Sequence, residues 1–304
     1  MSAISRSNYR DFLWPGIKTT FGTSYKGYEN GAEYKQIFEI RNSVQAYEKL
    51  VALSGLGLVP QKTEGDAVVY DTMKQGYDTK VNHYTYASGF IITMEELQDN
   101  LYPQIAAERP QNLAFVFKQT KEIIGANVLN RAFSGTYPGG DAVSLCNNSH
   151  PIQGGVVSNN LNPAADLSEA ALEQAIINIS DFVDNRGNKI AIIPQKLIVA
   201  PGNMFEAKRI LGNPDRPDTA ERDINAMYHM NSLPKGYIVN HYLEDPDAWF
   251  IQTDAQNGLL YFQRTAMDFT ADNDYDTRNA KYSGIERFSF AWGDYRGIYG
   301  SQGV

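Results

Sequence analysis

Cysteine is almost missing from this chain: Cys146 is alone among 304 residues. One thiol closes no intrachain disulfide, so a disulfide-stapled scaffold is excluded and a reducing compartment is compatible. Long apolar runs are missing as well. The longest, around Ile190 to Ala200, is interrupted by Pro194, Gln195 and Lys196. It falls short of the ~18 to 20 apolar residues a membrane span needs. The opening MSAISRSNYRDFLWPG holds no apolar stretch of the kind that marks a signal peptide. Positive charge is in deficit, with 27 Lys and Arg against 35 Asp and Glu and a net −8. That argues against a general nucleic-acid binder, which needs excess positive charge to release counterions from phosphates. Glycine-rich phosphate loops and the G-x-S-x-G elbow are absent, and histidine occurs four times. Few conventional routes to catalysis remain.

What is present is a chain that is 42% hydrophobic, enough for a sizeable core, and long enough for about two domains. Residues 1–49 stand apart from the rest. They carry seven basic and five acidic residues, a net +2, which leaves −10 on the remaining 255. They hold Phe12, Trp14, Phe21, Tyr25, Tyr28, Tyr34, Phe38 and Tyr47 with no sustained helical or alternating period. Such a segment reads as an extended arm that lays its rings on something else, a neighbouring chain or its own domain.

SGLGLVP, from Ser54, reads as a loop, followed by strand-like AVVY (67–70) and the run Lys80 to Ile92. With Gly76 in the turn between them, these runs predict a hairpin. An isolated hairpin is marginal in water and needs a surface to lie on. Thr93 and Glu96 form a capping box for a short helix from Met94 to about Leu101. A long helix is predicted from Pro110 to Phe133, with Leu113, Phe117, Ile124 and Val128 on one face. A second starts at N-cap Ser168 and ends near Asn185-Arg186-Gly187. KLIVA (196–200) reads as a buried strand and Met204 to Leu211 as a short helix. Trp249 to Thr253, Gly258 to Arg264 and Arg287 to Trp292 read as strands, the last with strict alternation.

Two constellations imitate chemistry. Cys146 and His150, four apart in SLCNNSHP, could pair as nucleophile and base, but no third orienting group and no second ligand pair for zinc is present. Asp272, Asp274 and Asp276 copy the start of a calcium loop, which then fails at Thr277 and Ser283. A solvated acidic loop is the plainer reading. His83, His229 and His241 are isolated.

Several segments, taken in order, resemble a tailed-bacteriophage major capsid protein of the Hong Kong 97-type fold. They are IKTTFGTSY near the start, YASGFIITMEELQDNLY (86–102), KQTKEIIGANVLNRAF (118–133), KLIVAPGNMFEAKRIL (196–211), DNDYDTRNAKYSGIERFSF (272–290) and WGDYRGIYGSQG (292–303). The resemblance implies an α+β fold with an N-arm (1–52) and an extended E-loop hairpin (53–92). A peripheral domain (93–140 and 259–291) would hold the long spine helix, beside an axial domain (141–258 and 292–304). It implies a non-enzymatic protein without cofactors that self-assembles through hexamers and pentamers into an icosahedral head shell around packaged double-stranded DNA. Assembly contacts are expected at the E-loop tip (Lys74, Gln75, Gly76 and Tyr77) and in the N-arm (Phe12, Trp14 and Phe21). Because the arm begins almost at Met1, scaffolding is expected from a separate protein, alongside a portal and a cement or decoration protein. The DNA would be enclosed without sequence-specific binding and no membrane would be involved. The shell belongs to the virion and is assembled in the host bacterial cytoplasm. Lys62, Lys74 and Lys80 have no identifiable crosslinking partner, and no crosslink is assigned. An encapsulin-type nanocompartment shares the fold and is the alternative. A Cys146/His150 hydrolase and a monomeric binding module are the readings from other classes.

Overall fold

The computed structural model describes residues 9–93, 95–96, 102–215, 224–274, 276–277 and 279–304, with the backbone alone for 9–13 and 102–106. Two four-stranded sheets organise the chain. The first has the order β1 (Glu39–Asn42), β10 (Leu259–Asn273), β11 (Ala280–Trp292), β4 (Tyr84–Ile92). Its strands are antiparallel except for β1, which runs parallel to β10. The second has the order β12 (Ile298–Ser301), β9 (Trp249–Thr253), β7 (Pro194–Val199), β8 (Tyr237–Val239), with β7 and β8 parallel. A separate ribbon pairs β2 (Tyr47–Leu53) with β3 (Gln75–Asn82). A small hairpin joins β5 (His150–Ile152) to β6 (Gly155–Val157).

The first sheet follows from alternation. Along β11, Tyr282, Glu286 and Phe288 point inward while Lys281 and Ile285 point out, the period of two that covers one face of a sheet. The predicted strands Gly258 to Arg264 and Arg287 to Trp292 are the near ends of a much longer hairpin. Its far half carries polar residues on the outer face, which hid it from a search for apolar runs. On the inner face lies a helix of 29 residues, α3 (Tyr102–Asn130), about 43 Å long at 1.5 Å per residue. Leu113 and Phe117 pack on the far end of the hairpin beside Phe269 and Tyr282, and Leu129 on the near end beside Tyr261 and Phe288. The helix starts before Pro110, which lies inside it rather than in its first turn. Pro103 is in the first turn, where a missing N–H leaves no bond unmade.

The second sheet is buried on both faces, and its strands are therefore apolar runs rather than alternations. Leu197, Val199, Trp249 and Ile251 face α4 (Glu169–Ser180), meeting Leu172, Ala175 and Ile179. Ile198, Phe250 and Ile298 face the other way, into a core shared with Leu129, Ala132, Tyr261 and Phe288. This shared core joins the two sheets. Ser168 caps α4 as expected, its hydroxyl accepting from Ala171 N–H at 3.2 Å. The helix ends at Ser180, earlier than predicted. Gly187, with φ +86°, instead closes a tight turn between Val183 and Lys189. Beyond β7 lie α5 (Met204–Gly212) and the short α6 (Ala226–His229). The Thr93–Glu96 capping box is formed in both directions, at 3.1 and 3.3 Å. The rest of the helix predicted from it falls largely on residue 94 and residues 97–101, outside the described residues.

Phe250 sits at the centre of the shared core and is 1% exposed. Phe250→Ala is expected to cost about 3–5 kcal/mol. Urea denaturation followed by far-ultraviolet dichroism checks this, and one cooperative transition is expected because both sheets rest on that ring.

Candidate functional site

The arm is not extended. Residues Tyr9–Asn30 form helix α1, followed by the short α2 (Tyr34–Ile37) and then β1. Its inner face is the stripe Trp14, Ile17, Phe21, Tyr25, with Glu29 one turn on. The spacing of three then four is a helical signal that aromatic content and three glycines obscured. The stripe packs on the chain's own body, among Ile92, Leu113, Ala114, Phe117, Phe269 and Tyr282. Trp14 stacks on Phe269 at 5.4 Å and Phe21 on the same ring at 4.2 Å between centroids. The structure thus gives Trp14 and Phe21, expected as contacts with a neighbour, a place on their own subunit. Phe12 lies on the same helix, and its side chain is outside the described residues.

Behind the rings the helix is clamped by a buried polar cluster that the sequence reading missed. Lys121 of α3 is 1% exposed. Its Nζ lies 2.8 Å from Glu29 Oε1, 2.9 Å from Glu286 Oε2 and 2.5 Å from the Tyr25 hydroxyl. Tyr25 also donates to Glu286, and Tyr34 donates to Glu29 at 2.7 Å. Lys35 meets the same Glu29 carboxylate at 2.7 Å. Burial alone would raise Glu29, but Lys121, Lys35 and Tyr34 outweigh it and hold the carboxyl at about 2. Burial dominates at Glu286 and pushes it up, and it pushes the Tyr25 phenol up further still. Glu122, next to Lys121, accepts the backbone N–H groups of Glu33 at 2.6 Å and Tyr34 at 3.0 Å and so seats the start of α2. The signal lay in two charged residues, Lys121 and Glu286, each on the inward side of an otherwise apolar pattern. Such residues are rarely buried unless paired.

The loop behaves differently. The ribbon is made by β2 with β3, and AVVY is not a strand: Val68, Val69 and Tyr70 are exposed coil. The residues from Tyr84 onward belong to the first sheet. The neck of the loop is tied by Ser54 and Lys74. Ser54 N–H donates to the Lys74 carbonyl at 2.9 Å, and Lys74 N–H to Ser54 Oγ at 2.9 Å. The expected tip residues are therefore at the base: Lys74 closes the neck, and Gln75, Gly76 and Tyr77 begin β3. Tyr77 is half-buried, close to Gly140, and burial raises its phenol. The actual projection is residues 55–73, where Leu58, Val59 and Tyr70 are 81%, 93% and 90% exposed.

One clasp holds this loop to the second-sheet half of its own chain. Arg186 donates to Asp71 at 2.7 Å and to the Thr72 carbonyl at 2.8 Å, and Gly57 N–H donates to the same Asp71 carboxylate at 2.7 Å. The Gly57 amide, then Arg186, hold Asp71 at about 2. A Cβ on Gly57 would lie 2.9 Å from the Arg186 guanidinium, so a side chain there would push the clasp aside.

Cys146 and His150 do not form a dyad. Asn159 Nδ2 donates to the carbonyls of Leu145, Tyr295 and Ile298, which leaves its Oδ1 as the acceptor for His150 Nε2 at 3.0 Å. The other imidazole nitrogen meets Asp141 at 2.6 Å, and the ring stacks on Tyr295 at 3.8 Å. Both nitrogens are engaged away from the thiol. Burial pushes the Cys146 thiol up, away from the reactive thiolate. In the acidic loop, Asp274 is paired with Lys281 at 2.7 Å. Among the described residues no three His, Cys, Asp or Glu side chains gather to hold a metal.

A sequence model of the family described as phage capsid protein matches residues 76–301. No curated protein sequence matches the chain. Solved structures do resemble it. A phage-related protein from Bordetella bronchiseptica RB50 superposes with TM-score 0.53 at 12% identity, covering 92% of this chain and 94% of its own. The SrpI encapsulin complex from Synechococcus elongatus PCC 7942 gives 0.52 at 10% identity, over 88% and 86%. The capsid of Myoviridae phage XM1 gives 0.50 at 10% identity, over 88% and 90%. At these identities the likeness is one of fold.

Two outcomes test the geometry. Lys121→Ala orphans the buried Glu286 and is expected to cost about 3–5 kcal/mol in chemical denaturation, part of which returns when Glu286→Gln is added. Arg186→Ala frees the loop, so limited trypsin digestion of the subunit at Lys62 is expected to be several-fold faster, with the body of the chain still resistant.

Proposed function

The chain belongs to the phage capsid protein family, and from that premise we propose how it builds the shell of a phage head. It has the Hong Kong 97-type fold and is the major capsid protein, a component of the virion capsid whose copies assemble with one another. The observation that carries the mechanism is the loop 55–73, whose apolar side chains find no cover among the described residues of their own subunit. Contiguous exposed apolar surface marks an interaction site. Here the surface sits on the loop beyond the β2–β3 ribbon, where it is open to a neighbour.

Contacts of this kind are heterologous: a loop on one copy meets a different surface on the next, and a closing rotation makes rings and then a container. Each contact is weak, but a subunit makes several at once. Engaging one raises the effective concentration of the rest. Ordering the loop on a neighbour carries an entropic cost. That cost keeps early contacts reversible, so misplaced subunits can leave. The subunits would gather in rings of six and of five, with a separate scaffolding chain to set curvature, a portal for the DNA and a cement protein outside. With a net charge of −8 the wall offers no excess of positive charge to hold the duplex. The DNA is held by confinement. An encapsulin shell shares the fold, while the sequence model that matches this chain is that of phage capsid proteins.

The test is a subunit in which residues 57–71 are replaced by a short Gly-Ser bridge. The neck bonds between Ser54 and Lys74 keep β2 and β3 in register, so a soluble, folded subunit is expected, with no closed shells by electron microscopy. Closed shells of normal size would remove the loop from the mechanism.

A further inference from the structure

The β2–β3 ribbon leaves the first sheet by two legs. Residues 43–46 lead from β1 to β2, and His83 alone leads from β3 to β4. His83 is 5% exposed, and a buried imidazole needs a partner for each nitrogen. It has one on either side. Nδ1 lies 2.9 Å from Ser289 Oγ on β11, and Nε2 lies 3.1 Å from Ser43 Oγ on the other leg. One ring thus ties both legs to the sheet. Beside it the ribbon rests on the sheet through a small apolar cluster, Leu50 and Val81 against Leu260, Phe262 and Ala291.

The neighbours fix the tautomer. Ser43 Oγ donates its proton to Glu48 Oε1 at 2.5 Å and accepts the Gln45 N–H at 3.1 Å. A hydroxyl has one proton to give, so toward the ring Ser43 accepts, and Nε2 carries the hydrogen. Nδ1 is then bare and accepts from the Ser289 hydroxyl. The bonding is that of a neutral ring. Three charged groups face it. Glu48 of β2 lies 3.9 Å from Nε2, Arg287 of β11 donates from Nε to the His83 carbonyl at 3.3 Å, and Arg264 belongs to β10. Phe262, also of β10, meets the ring edge-on at 6.1 Å. Burial leads in holding the imidazole below its ordinary value; Glu48 opposes that shift, and the two guanidiniums add to it.

We infer that His83 is an acid-sensitive latch: the neutral ring locks both legs of the ribbon to the first sheet, and its protonation loosens the ribbon at the root. A second proton turns Nδ1 into a donor, takes from the Ser289 hydroxyl its acceptor, and sets a buried charge beside two guanidiniums. The sign follows from a folded pKa that lies below the unfolded one. The latch contributes fully above about pH 6.5, the ordinary value of the ring, and its contribution is lost as pH falls through the lower folded value. The far end of the loop does not share this dependence, because the Gly57 amide and Arg186 hold Asp71 at about 2. Acid therefore frees the root while the Arg186 clasp stays closed. The device belongs to the single subunit and does not rest on the capsid reading.

The test is amide deuterium exchange on the full-length free subunit from about pH 7.5 to about pH 4.5, expressed as protection relative to the intrinsic exchange rate at each pH. Protection of residues 43–53 and 75–83 is expected to fall several-fold, with its midpoint below the ordinary value of the ring, while residues 194–199 and 249–253 keep theirs. His83→Gln carries no titrating ring and is expected to lose that fall. Glu48→Gln removes the one carboxylate that favours the charged ring, so its midpoint is expected to move to lower pH. A wild-type ribbon with unchanged protection across the range would overturn the latch. The same fall in His83→Gln would overturn it too, since another group would then carry it. Should His83→Gln not fold, a midpoint that stays in place or rises in Glu48→Gln would serve as the contrary result.

Discussion

Apolar side chains on a long loop stay in water only at a cost, and among the described residues nothing covers Leu58, Val59 or Tyr70. At about 25 cal/mol per Å², covering such residues rewards any neighbour that fits them. The loop that carries them is coil beyond the β2–β3 ribbon, and it leaves them in water. The clasp of Arg186 on Asp71 and Thr72 steadies the loop without covering it. The free subunit is therefore folded with apolar surface left in water: its two sheets share a core, while its projection stays uncovered.

The arm shows the opposite solution. Its rings are covered, and a buried lysine between two glutamates holds its rear half to the body. Buried ion clusters of this kind add little net stability compared with apolar packing, yet breaking one is expensive. They fix position more than they add free energy. Lys121 sits on the helix that runs between the far and near ends of the first sheet, so the clamp ties the arm to the element that spans that sheet. One limb is thus held down and one left out, an asymmetry that suits a subunit which must persist alone and then join others in order.

Much of this was legible where local and tertiary signals agree. The long helix, the Ser168 cap, the buried strand expected at 196–200 and found at Pro194–Val199, the strand at 249–253 and the alternation of Phe288 and Phe290 follow from composition, periodicity and capping alone. Capsid function was legible through resemblance spread over many short segments. The misses share a cause. The α1 stripe was masked because proline, glycine and threonine argue against helix at the positions between its rings. AVVY has strand composition but no partner strand within reach, and composition cannot supply one. The clamp joins residues 165 positions apart, and no local pattern reports such a pair. The loop tip lies a few residues from where it was expected because the pairing partner of β3 is β2, a strand within the segment read as the arm.

The most direct measurement is amide deuterium exchange across residues 55–73 in closed particles and in free subunits at the same pH. The account predicts rapid exchange in the free subunit and marked protection in the particle, where a neighbouring copy covers the loop. Equal, rapid exchange in both would mean that the loop stays in water after assembly, and the claim that uncovered apolar surface drives this chain into a shell would be wrong.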